Sequence, residues 1–230
     1  MATLLVIAVV LTRFRRPIDR PVATDRSTQL IDSDLAARIG LWRRGELDPE
    51  RFYTTSLHGE RVGPPEADVV LVVFSEYACG HCIAFEPTLE HLRARFPDHV
   101  AVVYRHFLPM MERGTLRIHL AAECAADQGR FAEYNHAVFA HASLMSTRNG
   151  WLRLGDSAGI PDMARFVGCT RAETDRARID HDNQVATSIG VIGTPTTFIN
   201  GLRVVGEVPF AMLDSMVAYQ LDRLRPRSAN

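Results

Sequence analysis

The sequence predicts an α/β domain, a central mixed sheet flanked by helices, with a helical subdomain inserted into it. Three observations predict this. A buried strand, an amphipathic helix and a second buried strand follow one another between residues 69 and 105, the pattern of a βαβ unit. From about 115 to 188 only helical patterns occur. The strand pattern then returns as a hairpin and a closing helix.

The elements can be justified in chain order. Residues 3–11, TLLVIAVVL, are apolar and are followed by TRFRR. The run is too short to cross a bilayer as a helix and suits the apolar part of a signal segment, but a basic flank before it is missing. Three readings stand for residues 1–12: a stretch inside a longer signal anchor, an atypical intact anchor, and a buried element of a soluble domain. Residues 13–50 read as a charged linker carrying one short helix, with Leu35, Ile39 and Trp42 at helical spacing. An edge strand is expected near 52–57. Val69–Phe74 is a run dominated by Val, as in a strand buried on both faces. The helix after it sets Cys82, Phe85, Leu89, Leu92 and Phe96 on one side, and HVAVVYRHF supplies the second strand.

In the helical stretch, Gly129 ends an Ala-rich helix, Phe131, Tyr134 and Val138 share a face, and Pro161 opens a short helix. Thr170 and Glu173 have capping-box spacing for a helix that closes at Gly190. Thr196–Asn200 is a short strand, Asn200–Gly201 a hairpin turn, and Pro209 starts a last amphipathic helix. The expected division is a sheet domain over 51–111 and 189–225, with the helical insertion at 112–188.

A net charge of −1 gives no basic footprint for nucleic acid, and 47% hydrophobic residues suffice for a large core. Chemistry therefore concentrates on the four cysteines. Cys79 and Cys82 form a single Cys-x-x-Cys. Structural zinc needs four ligands, and neither Cys124, Cys169 nor the nine histidines supply ligand spacing. An inert disulfide across so short a span would be strained. The redox reading has a physical basis: the pair lies where a strand ends and a helix begins, and free N–H groups and the positive end of the dipole favour a thiolate there. Cys79 would be the exposed nucleophile and Cys82, one turn in, the resolving thiol. Gly80 leaves the turn open. His81 can donate hydrogen bonds or positive charge to Cys79, which makes the disulfide more oxidising. Thr194–Pro195 precedes a strand, a position open to an ordinary edge proline or to a cis bond. His106, His119, His136, His141 and His181 read as surface or satisfied groups. Trp42 and Trp151 read as packing residues. Phe107, Leu108, Met110 and Met111 read as core or as the lining of an apolar groove.

Cys79-Gly80-His81-Cys82, the helix with Pro87, and GTPTTFING together resemble the thioredoxin fold. The helical insertion narrows the resemblance to the DsbA-like thiol:disulfide oxidoreductases, over about residues 55–225. The resemblance implies that Pro195 is cis and packs beside Cys79, with Thr194 offering backbone hydrogen bonds to a substrate peptide. Similar proteins can carry a second bridge in the insertion, so Cys124 and Cys169 are expected to pair, the alternative being two buried free thiols. Several relatives have a buried acid six residues before the first cysteine; here Val73 stands there, and Glu76 flanks the site. Thioredoxin has Trp before its first cysteine; here it is Ala78.

The expected function is oxidation of cysteine pairs in exported, folding proteins by the 79/82 pair, at an extracytoplasmic place with an N-terminal anchor. The expected partners are reduced or unfolded substrate proteins and a quinone-linked membrane oxidase. No cofactor and no metal is called for, because the electrons stay on sulfur, and a monomer is expected. A disulfide reductase or isomerase, for example in cytochrome maturation, and a redox-inactive peptide-binding chaperone module are the alternatives.

Overall fold

The computed structural model describes residues 47, 49–108 and 113–224. The apolar segment 1–12, the short helix around Leu35–Trp42, and Met110 and Met111 lie outside the described residues.

The Val-rich run forms β2, Val69–Ser75. Helix α2, Gly80–Arg95, crosses back to β3, Val100–His106, which pairs parallel to β2. Both strands are buried along nearly their whole length, as strands covered on two faces must be. β4, Thr196–Ile199, runs antiparallel on the other side of β2, and β5, Leu202–Val205, borders it. Asn200 and Gly201 both take positive φ, 46° and 95°, which the two-residue hairpin turn requires. The strand β1, Glu60–Val62, closes the far edge against β3, so the sheet order is β1-β3-β2-β4-β5.

Helices fill the chain between β3 and β4: α3 Arg113–Ala126, α4 Phe131–Ala140, α5 Gly150–Ser157, α6 Met163–Ala172 and α7 Arg176–Ser188. Helix α8, Phe210–Leu224, ends the described fold and buries Leu213, Met216 and Val217. One face of the sheet packs Val72, Phe74, Val103 and Phe198 against Phe52, Phe107, Ala186, Ile189 and Val191. Phe107 and Leu108 belong to this and a neighbouring core cluster rather than to an open groove. Trp151 is a packing residue beside Phe166.

Three local expectations need correction. The segment expected as an edge strand at 52–57 is helix α1, Pro49–Leu57. Pro49 at its first position has no N–H to leave unsatisfied, and among its described side chains the helix buries Phe52 and Thr55. The edge strand comes three residues later, as β1. Thr170 and Glu173 are not a capping box: the Thr170 hydroxyl bonds to the Phe166 carbonyl inside α6, and Glu173, at φ 54°, ends that helix. Asp175 precedes α7 instead. Pro161 likewise lies before the N-cap of α6, Asp162, whose carboxylate accepts the Arg165 N–H at 2.9 Å.

Candidate active site

Cys79 is the N-cap of α2 and Cys82 lies one turn in. The two thiols are free in this structure, Cys79 partly exposed and Cys82 buried. No side chain caps the helix, so its first N–H groups remain available to sulfur.

Burial works against a thiolate at Cys79. Hydrogen bonds from the Thr194 side chain, from the Cys82 N–H and thiol and from the His81 N–H outweigh it, and the thiol is pushed below its ordinary range. Cys82 goes the other way. Burial dominates, the neighbouring Cys79 charge adds to it, and the Ser75 and Thr194 hydroxyls with the Glu76 backbone offset it only in part; the thiol is pushed up to about 12. One sulfur is thus prepared to be a thiolate and the other to hold its proton.

The remote proline motif meets the pair here. Cys79 Sγ lies 3.3 Å from the Thr194 carbonyl oxygen, and the Thr194–Pro195 bond is cis. His81 is three-quarters exposed, and its ring points to Glu207, Nδ1 to Oε1 3.6 Å. In this arrangement His81 serves Cys79 through its backbone N–H rather than its imidazole. Gly80, with open space where a side chain would begin, leaves the turn uncluttered. Ile192 is 87% exposed, and Val205, the register partner of Thr196, is 62% exposed.

Glu86 is buried on the same helix, one turn beyond Cys82. Its carboxyl accepts from the Tyr104 hydroxyl at 2.6 Å and the Asn135 amide at 3.2 Å, both neutral donors. Burial pushes it up to about 7. Tyr104 is the register partner of Val73 in the neighbouring strand. An acid absent from the strand is therefore present on the helix. Its sequence signal is a charged residue on an otherwise apolar stripe, between Phe85 and Leu89.

Cys124 and Cys169 are joined by a disulfide, with Cα atoms 5.9 Å apart, that ties α3 to α6. Asp175 Oδ2 lies 3.2 Å from the Cys169 sulfur, and these three residues form a trio of metal-like spacing among the described residues. Both sulfurs are engaged in the bond, which leaves a single oxygen to offer a metal.

A sequence profile of the thioredoxin family matches residues 55–218. The chain belongs to the thioredoxin family. Among solved structures, this thioredoxin-family chain is similar to a thioredoxin-like oxidoreductase from Silicibacter pomeroyi, at 26% identity and TM-score 0.59, over 74% of this chain and 93% of that one. It also resembles the thiol-disulfide exchange protein alpha-DsbA2 from Wolbachia pipientis, at 20% identity and TM-score 0.66, over 80% and 97%. A curated relative is a Na(+)/H(+) antiporter of Mycolicibacterium gilvum, 31% identical over 170 residues, 72% of this chain and 26% of that protein. The chain thus spans about a quarter of the length of the curated relatives it matches. No described helix is long and apolar enough to cross a membrane.

Proposed function

We propose that this chain is a thiol:disulfide oxidoreductase that oxidises cysteine pairs in extracytoplasmic proteins. The observation that carries the reading is the opposed acidity of Cys79 and Cys82 beside Thr194–Pro195. A substrate thiolate attacks Cys79 Sγ of the oxidised pair. The Cys79–Cys82 bond breaks, its electrons go to Cys82, and Cys82 takes a proton. The second substrate thiolate then attacks the substrate sulfur of the mixed disulfide and releases Cys79 as a thiolate. The substrate gains a disulfide and the site becomes a dithiol; one substrate proton ends on Cys82 and the other in solvent. Glu86, buried one turn from Cys82, is the group that exchanges the Cys82 proton. Ile192 and Val205 offer apolar ground to an unfolded chain seated against Thr194. A quinone-linked membrane oxidase restores the disulfide.

The stabilised Cys79 thiolate favours the reduced form of the site and hence an oxidising pair. The Cys124–Cys169 bond supports an oxidising, extracytoplasmic place, and the likeness to part of proteins named as antiporters supports a station at a membrane. Replacement Cys79→Ser should abolish oxidation of a reduced, unfolded substrate; undiminished oxidation would refute the assignment. The potential of the 79/82 pair against glutathione decides direction. A value near or below the thioredoxin range, about −270 mV, would turn the reading to a reductase.

A further inference from the structure

The buried groups that the exchange reaction leaves unused converge on one line. Helix α3 carries Thr115, His119 and Glu123 at four-residue steps, which sets them on one face. His119 Nε2 lies 3.2 Å from Glu76 Oε1, and His119 Nδ1 lies 2.7 Å from His106 Nδ1. His106 Nε2 lies 2.8 Å from Glu123 Oε1, and Arg178 donates to Glu123 Oε2 at 3.1 Å. Both imidazoles are buried. Glu76 accepts, in addition, from the Ala78 N–H and the Thr115 hydroxyl, as a carboxylate does.

The four ring nitrogens fix the number of protons. Each terminal carboxylate only accepts, so both Nε2 atoms carry hydrogen. The two Nδ1 atoms share one hydrogen, since none would oppose two lone pairs and two would oppose two N–H groups. Three ring protons on two rings make one imidazolium and one neutral imidazole. The Tyr77 N–H also points at His119 Nε2, from 3.5 Å, and the shorter 3.2 Å contact with the Glu76 carboxylate is the one that assigns this nitrogen its hydrogen. Charged groups face the line from the elements around it: Glu60 on β1, Asp182 on α7, which accepts the His106 backbone N–H at 2.8 Å, Glu123 on α3, Arg178 on α7 and Arg105 on β3. Burial pushes His119 down to about 4. The Glu123 hydrogen bond and charge lift His106 in spite of its burial, which puts the proton on His106.

We propose that His119, sharing one proton with His106, is a positioning residue for the redox turn and acts through Glu76. The proposal rests on the reading of Cys79 and Cys82 as the exchange pair. Glu76 touches the surroundings of both sulfurs. Its carbonyl accepts the Cys79 N–H at 3.1 Å, and its own backbone bonds to the Cys82 sulfur. Its carboxylate is the anchor that pins this turn to α3. When the disulfide opens and the electron pair settles on Cys82, that backbone bond must already be in place. A Glu76 released from His119 lets the turn drift away from the leaving sulfur.

Two measurements on the full chain test this. Nitrogen-15 NMR of the histidine rings should find three ring protons across His106 and His119 at about pH 6, between the lowered value of His119 and the raised value of His106; two would overturn the shared cation. The oxidised protein is then opened by a reduced dithiol peptide under stopped flow. His119→Leu should slow opening about tenfold, and His119→Gln, which keeps a donor towards Glu76, should recover most of the rate. Equal rates in all three proteins, or equal slowing in both variants, overturns the proposal. Should His119→Leu not fold, Glu76→Gln carries the same rate test, with tenfold slowing expected and an unchanged rate overturning. A wild-type disulfide that the peptide cannot open refutes the exchange reading instead, and the ring-proton count then decides the line on its own.

Discussion

Cys79 and Cys82 are separated by two residues, yet their surroundings push them in opposite directions. At Cys79 hydrogen bonds from Thr194, from the Cys82 backbone and thiol and from the His81 backbone face a partly open sulfur; at Cys82 burial exceeds what Glu76, Ser75 and Thr194 return. A leaving sulfur that wants its proton so strongly needs an acid nearby, and Glu86, pushed up to about 7, is half protonated near neutrality. Glu86→Gln should therefore slow reduction of the disulfide by roughly a hundredfold at pH 7, in the usual range for a lost acid–base group. The alkylation rate of reduced Cys79 should stay within about twofold, and equal losses in both assays would deny Glu86 this role. That Cys79 and Cys82 open a helix after a buried strand, with Thr194–Pro195 beside them, was legible in the sequence because spacing and the strand–helix boundary fix those positions. Glu86, His106 and His119 were not. Their roles depend on which buried face they meet, and an isolated Glu or His carries no spacing that reveals it.

At the scale of elements, helix α3 does more than fill space. One face of it anchors the redox turn through Thr115 and His119, and Cys124, next to Glu123, fastens the same helix to α6. The bridge closes a span of 45 residues, for which loop entropy alone gives about 4 kcal/mol. Replacing both Cys124 and Cys169 by Ala should lower unfolding free energy by about 2–4 kcal/mol in urea titrations while exchange at Cys79 persists. Loss of exchange at a temperature where the variant is fully folded would mean the bridge does more than brace. The central strands and α2 could be read from the sequence because β-branched runs and a one-sided apolar stripe have few other solutions. The misread elements are those where local signals compete. RFYTTS has strand-like residues, but Pro49 and the burial of Phe52 turn it into α1. Thr170 and Glu173 have capping spacing, but the left-handed Glu173 ends one helix just before Asp175 leads into the next.

For the whole molecule, the same buried groups set how stability follows pH, and two of them oppose one another. Glu86 holds its proton to about 7 in the fold, but an unfolded Glu loses it near 4.5. Between those values the folded chain binds the extra proton, so stability falls as pH rises. His119 is neutral in the fold above about 4, while an unfolded His stays charged to about 6.5. Over that window the unfolded chain binds the extra proton, so stability rises with pH. Each slope is about 1.4 kcal/mol per pH unit, and they nearly cancel between about 4.5 and 6.5. Glu60, also raised to about 7 but partly open to solvent, adds a smaller slope of the Glu86 sign. Above this window His106, held charged by Glu123, gives up its contribution as pH climbs through its raised value; below it, Glu76 and Glu123 lose theirs on protonation. The wild-type protein should show a near plateau in unfolding free energy from about pH 4.5 to 6.5. Glu86→Gln should tilt that plateau upward with pH and His119→Leu should tilt it downward, each by about 1.4 kcal/mol per unit. Urea titrations at five pH values suffice to see both tilts. Two variants that tilt the same way would show that these groups do not titrate as the buried geometry requires.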